Sequence, residues 1–386
     1  MPEPSSILSP TELARYSRHI LLDNVGVQGQ EKLARARVLV VGAGGLGSPA
    51  ALYLAAAGIG TLGIADLDRV EHHNLQRQLL HDTSSVGAEK VSSAAQRLRT
   101  LNPHISVLEH PAGITTENAA DVFRQYDIVL DGTDNFSARY INNDAAFETR
   151  KPLVFGSVYK FEGQVTVFDP SRGGPCYRCL FPTAPAAGSV PGCGEAGVIG
   201  ALCGVIGSMQ ALETIKLILQ LGETLTGRLL TYDALTQNVR ILKLARSPTC
   251  ELCGDKAAEG TKLKKQSTAQ DLRSLSTAGL PAEITVAEAN ELLTAAASES
   301  VLLDVREPWE IEICHVRNAR FIPMRQIPEK LGEIPEDRHI LVLCHHGSRS
   351  RQVAHFLSAH GYKNVSNVAG GIAAWADEID PTLARY

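Results

Sequence analysis

The stretch from Val38 to Asp68 leaves this chain little freedom of fold. Val38-Leu39-Val40-Val41 is an apolar run rich in β-branched residues. It stops at Gly42-Ala43-Gly44-Gly45-Leu46-Gly47, enters an alanine-rich helix, and is followed by Gly63-Ile64-Ala65-Asp66-Leu67-Asp68, a second short strand ending on acids. Strand, glycine loop, helix and strand make a nucleotide-binding βαβ unit. Gly42, Gly44, Gly45 and Gly47 let the backbone approach phosphate, and the helix N-terminus aims its amides there. Asp66 follows the glycines by about 20 residues, where a carboxylate bonds ribose hydroxyls. The uncharged run Val38 to Ala65 is long enough to span a bilayer. Its glycines fall at strand-turn-helix positions, which predicts a buried βα unit instead. A glycine loop alone suits a nicotinamide or flavin enzyme. Asn74-Leu75-Gln76-Arg77-Gln78 does not fit that reading, because hydride transfer needs no arginine to neutralise charge on a transferring group.

The strand and helix signals keep alternating. Lys90 to Leu101 has helical spacing and stops at Asn102-Pro103. Tyr126 to Asp131 and Pro152 to Gly156 are short apolar strands, so the expected fold class is α/β, a Rossmann-like doubly wound sheet with ligands at the C-terminal strand ends. Asp134 follows one such strand end and should overhang the phosphates. A carboxylate there either holds Mg²⁺ or caps the helix predicted over Asn135 to Phe147. Cys176-Tyr177-Arg178-Cys179 and Cys250-Glu251-Leu252-Cys253 form two knuckles. They supply the tetrahedral thiolate set of a structural Zn²⁺, one per subunit, with a redox role as the alternative. Cys193 stands in a glycine-rich loop before the apolar run Val198 to Leu212, while Cys203 within that run is expected in the core.

These motifs, together with Arg15-Tyr16-Ser17-Arg18, Gly87-Ala88-Glu89-Lys90-Val91 and Asp131-Gly132-Thr133-Asp134-Asn135, make the chain from about Arg15 to Gly254 resemble the MoeB/ThiF-type adenylyltransferases, relatives of the ubiquitin-activating enzymes. The resemblance implies ATP-dependent activation of the C-terminal Gly-Gly carboxylate of a small ubiquitin-like sulfur carrier. It implies phosphate contacts from Arg77, Lys90 and Arg18, the last reaching across a homodimer, and Mg²⁺ on Asp134. It also implies that His73, Asn74, Leu75, Gln76 and Asn135 flank the nucleotide. Cys193 corresponds to a crossover-loop cysteine that accepts the activated carboxyl or a sulfur linkage.

The pattern restarts at Glu283. Thr285 can cap a helix through Leu293, and Val301 to Val305 and Ile340 to Leu343 read as strands. The second strand runs into Cys344-His345-His346-Gly347-Ser348-Arg349-Ser350 and then a helix over Gln352 to His360. Amides of such a loop, with the helix dipole, stabilise a thiolate or a bound anion. With Asp304-Val305-Arg306-Glu307-Pro308-Trp309-Glu310 and Gly370-Gly371-Ile372-Ala373-Ala374-Trp375, this half resembles the rhodanese sulfurtransferases, which implies a persulfide on Cys344. One departure is His315-Val316-Arg317-Asn318-Ala319, where relatives carry His-Ile-Pro-Gly-Ala. The arginine arrives after four intervening residues rather than the five of related phosphatases, which favours a persulfide over a phosphate. The expected division is an adenylyltransferase domain over 1–254 with a zinc knuckle, a linker over 255–282, and a small α/β rhodanese domain over 283–386.

Length, 386 residues, and an apolar content of 44% suit a chain of two globular domains. A net charge of −5, carried by the residues from Glu283 onward, excludes a broadly basic nucleic-acid binder. No apolar core of signal-peptide type precedes Arg18, so the expectation is a cytoplasmic protein without membrane attachment. Joined, the halves predict adenylation of a carrier followed by sulfur transfer from Cys344 to form a thiocarboxylate, as in molybdopterin biosynthesis, with thiamine, tRNA thiolation and cysteine synthesis also open. The sulfur donor is thiosulfate or a cysteine desulfurase. The rival readings are a nicotinamide oxidoreductase with an appended rhodanese domain and a non-catalytic carrier-binding scaffold.

Overall fold

A computed structural model describes residues 7–183, 197–255, 281–295 and 299–385. The chain divides into two compact units, Met1–Gln266 and Ser267–Tyr386. Cys193 lies outside the described residues, as does most of the stretch read as a linker.

In the first unit the strands are β1 (Arg37–Val41), β2 (Thr61–Ala65), β3 (Ser106–His110), β4 (Ile128–Asp131), β5 (Leu153–Tyr159), β6 (Glu162–Phe168), β7 (Arg228–Asp233) and β8 (Asn238–Lys243). They form one sheet in the order β3-β2-β1-β4-β5-β6-β7-β8. The first five are parallel, and the order reverses between β1 and β4, which opens a crevice at their C-terminal ends. Strands β6 to β8 extend the sheet antiparallel, which the alternation of strand and helix did not foretell. The central strands carry Val38, Leu39, Val40, Leu130 and Val154, all without exposed surface, as strands covered on both faces require. The run Val38 to Ala65 is β1, the helix Gly47–Ala56 and β2. The helix Lys90–Leu101 matches its predicted span and ends with Asn102, whose amide bonds the Tyr16 hydroxyl and the Ala55 carbonyl. The helix Gly200–Leu219 is long and apolar enough to cross a membrane by composition, yet half of its apolar window is buried against the sheet.

The second unit is a five-stranded parallel sheet in the order β11-β10-β12-β13-β9, built from β9 (Ala282–Ile284), β10 (Ser300–Asp304), β11 (Arg320–Phe321), β12 (His339–Leu343) and β13 (Val365–Val368). The helix Val286–Ala295 begins as expected: Thr285 Oγ1 accepts from the Glu288 N–H at 3.2 Å. Asn318, in the segment that departs from the rhodanese pattern, sits at φ +64°. Asparagine visits this left-handed region more readily than most side chains, so the turn survives the departure.

Candidate functional site

The crevice of the first unit holds a cavity of about 240 Å³ lined by Gly42, Gly44, Gly45, Asp66, Asp68, Arg77, Gln78, Lys90, Thr133, Asp134, Asn135 and Arg139 among others. Two of the loop glycines are needed by the fold. A Cβ on Gly47 would stand 1.8 Å from the Gly42 carbonyl oxygen, and Gly42 has φ +93° with the Gly132 backbone 3.0 Å from its own missing Cβ. Gly44 differs. Its Cβ would meet only the Gln78 amide at 3.9 Å, so the packing of the fold does not itself demand glycine there.

Asp66 buttresses the loop: its carboxylate accepts the Ala43 N–H at 2.8 Å and the Asp68 N–H at 2.9 Å. Lys90 is 8% exposed, and its Nζ donates to Asp68 Oδ2 at 2.8 Å. Arg77 Nη1 donates to the His73 carbonyl at 3.0 Å, which leads the guanidinium along the cavity wall. Asp134 is exposed and makes no hydrogen bond or ion pair among the described residues. The cap of the helix Phe136–Thr149 is Asn135, whose Oδ1 accepts the Ala138 N–H at 2.9 Å. The capping role weighed for Asp134 therefore falls to its neighbour, and the Asp134 carboxylate stands exposed at the cavity.

His73, Asn74, Leu75 and Gln76 stand apart from the cavity lining. The His73 ring faces Glu71 at 3.2 Å, and Asn74 is buried with its Oδ1 on the Glu71 N–H. Leu75 is part-buried and Gln76 exposed, the latter beside Gly200. Arg18 is exposed on the short helix Ser17–Ile20 and lines no part of the cavity of its own chain. Gln78, Cys203 and Arg139 line the cavity without having been assigned to the site from sequence. Gln78 directly follows the quoted arginine and was there to be read. Cys203, expected in the core, is 1% exposed, but its sulfur abuts Gly45. Arg139 carries no local motif at all. Beneath the site Asp131 is fully buried, which raises its pKa, although Arg139 and Thr133 act in the opposite sense.

Cys176, Cys179, Cys250 and Cys253 converge, with their four sulfurs within 4.8 Å of one another. Cys176 has its pKa driven up, first by hydrogen bonding to Cys253 and then by burial. Burial also raises Cys250, but amide donors from Cys253 and Leu252 outweigh it and lower the net value. A soft divalent cation suits four sulfurs held so close, because it supplies the countercharge that lets them all ionise.

In the second unit Cys344 follows β12 directly and is 1% exposed. Its sulfur accepts the Gly347 N–H at 3.1 Å and the Ser350 hydroxyl at 3.2 Å. The helix begins at Ser348, inside the reactive loop and four residues before the predicted start. Arg349 is bidentate to Glu310 at 2.6 and 2.7 Å, so the loop arginine is tied to the Asp304-to-Glu310 motif. His345 stacks on His346 at 4.0 Å, and its pKa is lowered to about 4 by burial, with His346 adding to the effect. The paired glycines have a steric reason. A Cβ on Gly371 would lie 2.3 Å from the His345 carbonyl oxygen, and the Ile372 N–H donates to the Cys344 carbonyl at 2.8 Å.

Comparison with known proteins agrees with both halves. The ThiF family model matches residues 16–252, and the Rhodanese-like domain model matches residues 285–378. A probable adenylyltransferase/sulfurtransferase MoeZ of Mycobacterium tuberculosis is 42% identical over all of this chain and 98% of its own length. An adenylyltransferase and sulfurtransferase MOCS3 of Anopheles gambiae is 44% identical over 98% of this chain and 90% of its own. Among solved structures, E. coli MccB with AMPCPP and MccA shares the fold at a TM-score of 0.57 and 24% identity, over 65% of this chain and 77% of that one.

Proposed function

The chain belongs to the ThiF family and carries a rhodanese-like domain behind it, and from that premise we propose how its two units divide the work of an adenylyltransferase and sulfurtransferase. ATP enters the glycine-loop cavity with its phosphates against Gly44 and the helix Gly47–Ala56. Arg77 and Lys90 offset charge as pyrophosphate departs, and Asp66 stands at the ribose edge. Mg²⁺, which would screen the triphosphate when bound, is assigned to Asp134; Zn²⁺ is assigned to the four-cysteine cluster as a structural ion. The acceptor is the C-terminal carboxylate of a small ubiquitin-like sulfur carrier, which attacks the α-phosphorus to give an acyl-adenylate.

Cys344 then carries sulfane sulfur taken from thiosulfate or a cysteine desulfurase. The terminal sulfur of that persulfide displaces AMP and leaves an acyl disulfide. A thiol attacking the Cys344 sulfur releases the thiocarboxylate, and Cys193 is the candidate within this chain. A reductant then restores the thiols. Arg18 is assigned to the partner's site in a cytoplasmic homodimer, and molybdopterin biosynthesis is the favoured pathway.

The observation that carries this reading is the cavity itself. It brings a bare glycine backbone, three cationic side chains and an unengaged carboxylate together at the sheet's crossover point. Hydride transfer requires neither the second nor the third, since no phosphoryl group is transferred. The test is mass spectrometry of candidate carriers incubated with the enzyme, ATP and a sulfane donor, looking for oxygen replaced by sulfur. Asp134→Ala should stop pyrophosphate exchange and spare thiosulfate-to-cyanide transfer, whereas Cys344→Ala should do the reverse and let acyl-AMP accumulate. Full thiocarboxylate yield from Cys344→Ala would refute the division.

A further inference from the structure

Arg139 is buried to 9% exposure on the helix Phe136–Thr149, yet it lines the nucleotide cavity. Its guanidinium lies over Phe155 at 5.3 Å and Phe136 at 5.7 Å, and Nη2 donates to the Thr133 carbonyl at 3.2 Å. Thr133 is gripped from below as well, since Asp131 Oδ1 accepts both its N–H at 2.9 Å and its hydroxyl at 2.6 Å. The next residue is Asp134. The buried Asp131 Oδ2 and Arg139 Nε have no hydrogen-bond partner, so the two charges attract across a gap without closing an ion pair.

The seat under Arg139 is closely packed and hydrogen-bonded. Phe155 packs on Tyr177 at 5.4 Å, and Tyr177 lies between Cys176 and Cys179. Its N–H donates to Asn143 at 2.7 Å, and Arg178 is bidentate to Asp144 at 2.8 and 2.6 Å. Both acceptors stand on the helix that carries Arg139. The cysteine knuckle is thereby fastened to the helix that forms one wall of the cavity.

We propose that Arg139 is a positioning residue for the nucleotide site, holding the Thr133 carbonyl, and with it the Asp134 carboxylate, in register with the phosphates. The proposal rests on the reading of the first unit as an ATP site. Lysine cannot replace the planar fork, which stacks on two rings and donates at a fixed angle, so Arg139→Lys keeps the charge and loses the hold.

The experiment uses the full chain and a non-hydrolysable ATP analogue, with its dissociation constant measured calorimetrically in magnesium-free buffer and at saturating magnesium. In wild type, magnesium tightens binding by a measurable factor. In Arg139→Lys that factor falls about tenfold, while the magnesium-free affinity stays within about twofold. A merely structural defect would weaken both equally. Should Arg139→Lys melt early by circular dichroism, Arg139→Met, which fills the apolar seat but offers no donor to Thr133, is read the same way. Equal loss in both buffers, or no loss in either, overturns the proposal. A wild type that binds the analogue in neither buffer removes the ATP reading, and the positioning role falls with it.

Discussion

Gly44→Ala and Gly47→Ala change the same loop by one methyl group each, yet they should fail in opposite ways. At position 47 the new carbon would lie 1.8 Å from the Gly42 oxygen and 3.2 Å from Val40 Cγ1. Relief requires strand and helix to part by more than an ångström. Overpacking of this severity costs about 3 kcal/mol. At position 44 the nearest atom is 3.9 Å away and the backbone has no positive φ. There alanine is tolerated, and reduced freedom of the unfolded chain should leave stability within about 1 kcal/mol of wild type. The same methyl occupies the surface assigned to the phosphates. Misplacing them by about an ångström should lower kcat/KM for pyrophosphate exchange roughly a hundredfold, equivalent to about 2.7 kcal/mol. Urea unfolding followed by tryptophan-independent circular dichroism supplies the stability, and isotope exchange supplies the rate. A Gly44→Ala enzyme that exchanges pyrophosphate at wild-type rate would show that the phosphates do not lie against this loop.

Two further outcomes are expected. Purified protein should carry about one zinc per chain, and Cys176→Ser should lower both zinc content, measured by atomic absorption, and melting temperature; metal-free protein of unchanged stability would defeat the assignment. The second unit should weaken in acid through His345. Its folded pKa of about 4 lies below the ordinary histidine value, so its contribution is complete above about pH 6.5 and is lost as pH falls toward 4. His346, Arg349 and Arg306 disfavour the charged ring and Glu310 favours it, with burial dominant. His345→Gln should flatten that part of the stability–pH profile measured by denaturant titration, and an unchanged profile would refute the assignment.

What could be read from the sequence was locally encoded. The glycine loop, the cysteine pairs and the Cys344 loop each declare themselves within a few residues, because each satisfies a backbone or ligand requirement on the spot. Helix Lys90–Leu101 was legible for the same reason, being bounded by Asn102-Pro103. The antiparallel extension was not. Every residue of β8 is exposed, so burial imposes no apolar alternation on it. Arg139 was equally silent, because its role arises from Thr133, Phe155 and Phe136 meeting in space. The distinction between Asp134 and Asn135 also needed coordinates, since either residue type makes a sound cap.

The contact of Gly42 with Gly132 also bears on the order in which this chain folds. Strands β5 and β6 are joined by a tight turn in which Lys160 has φ +55°, so they can pair as soon as they are made. Strand β1 must find β4 across an intervening stretch that pairs Val38 with Ile128. Closing so long a loop carries an entropic penalty before any contact repays it. The cavity has a floor only after that closure, because Gly42 and Gly132 belong to the two strand ends that meet there. A nascent chain therefore has no nucleotide site until its most distant parallel pairing is complete, so nucleotide binding reports that closure.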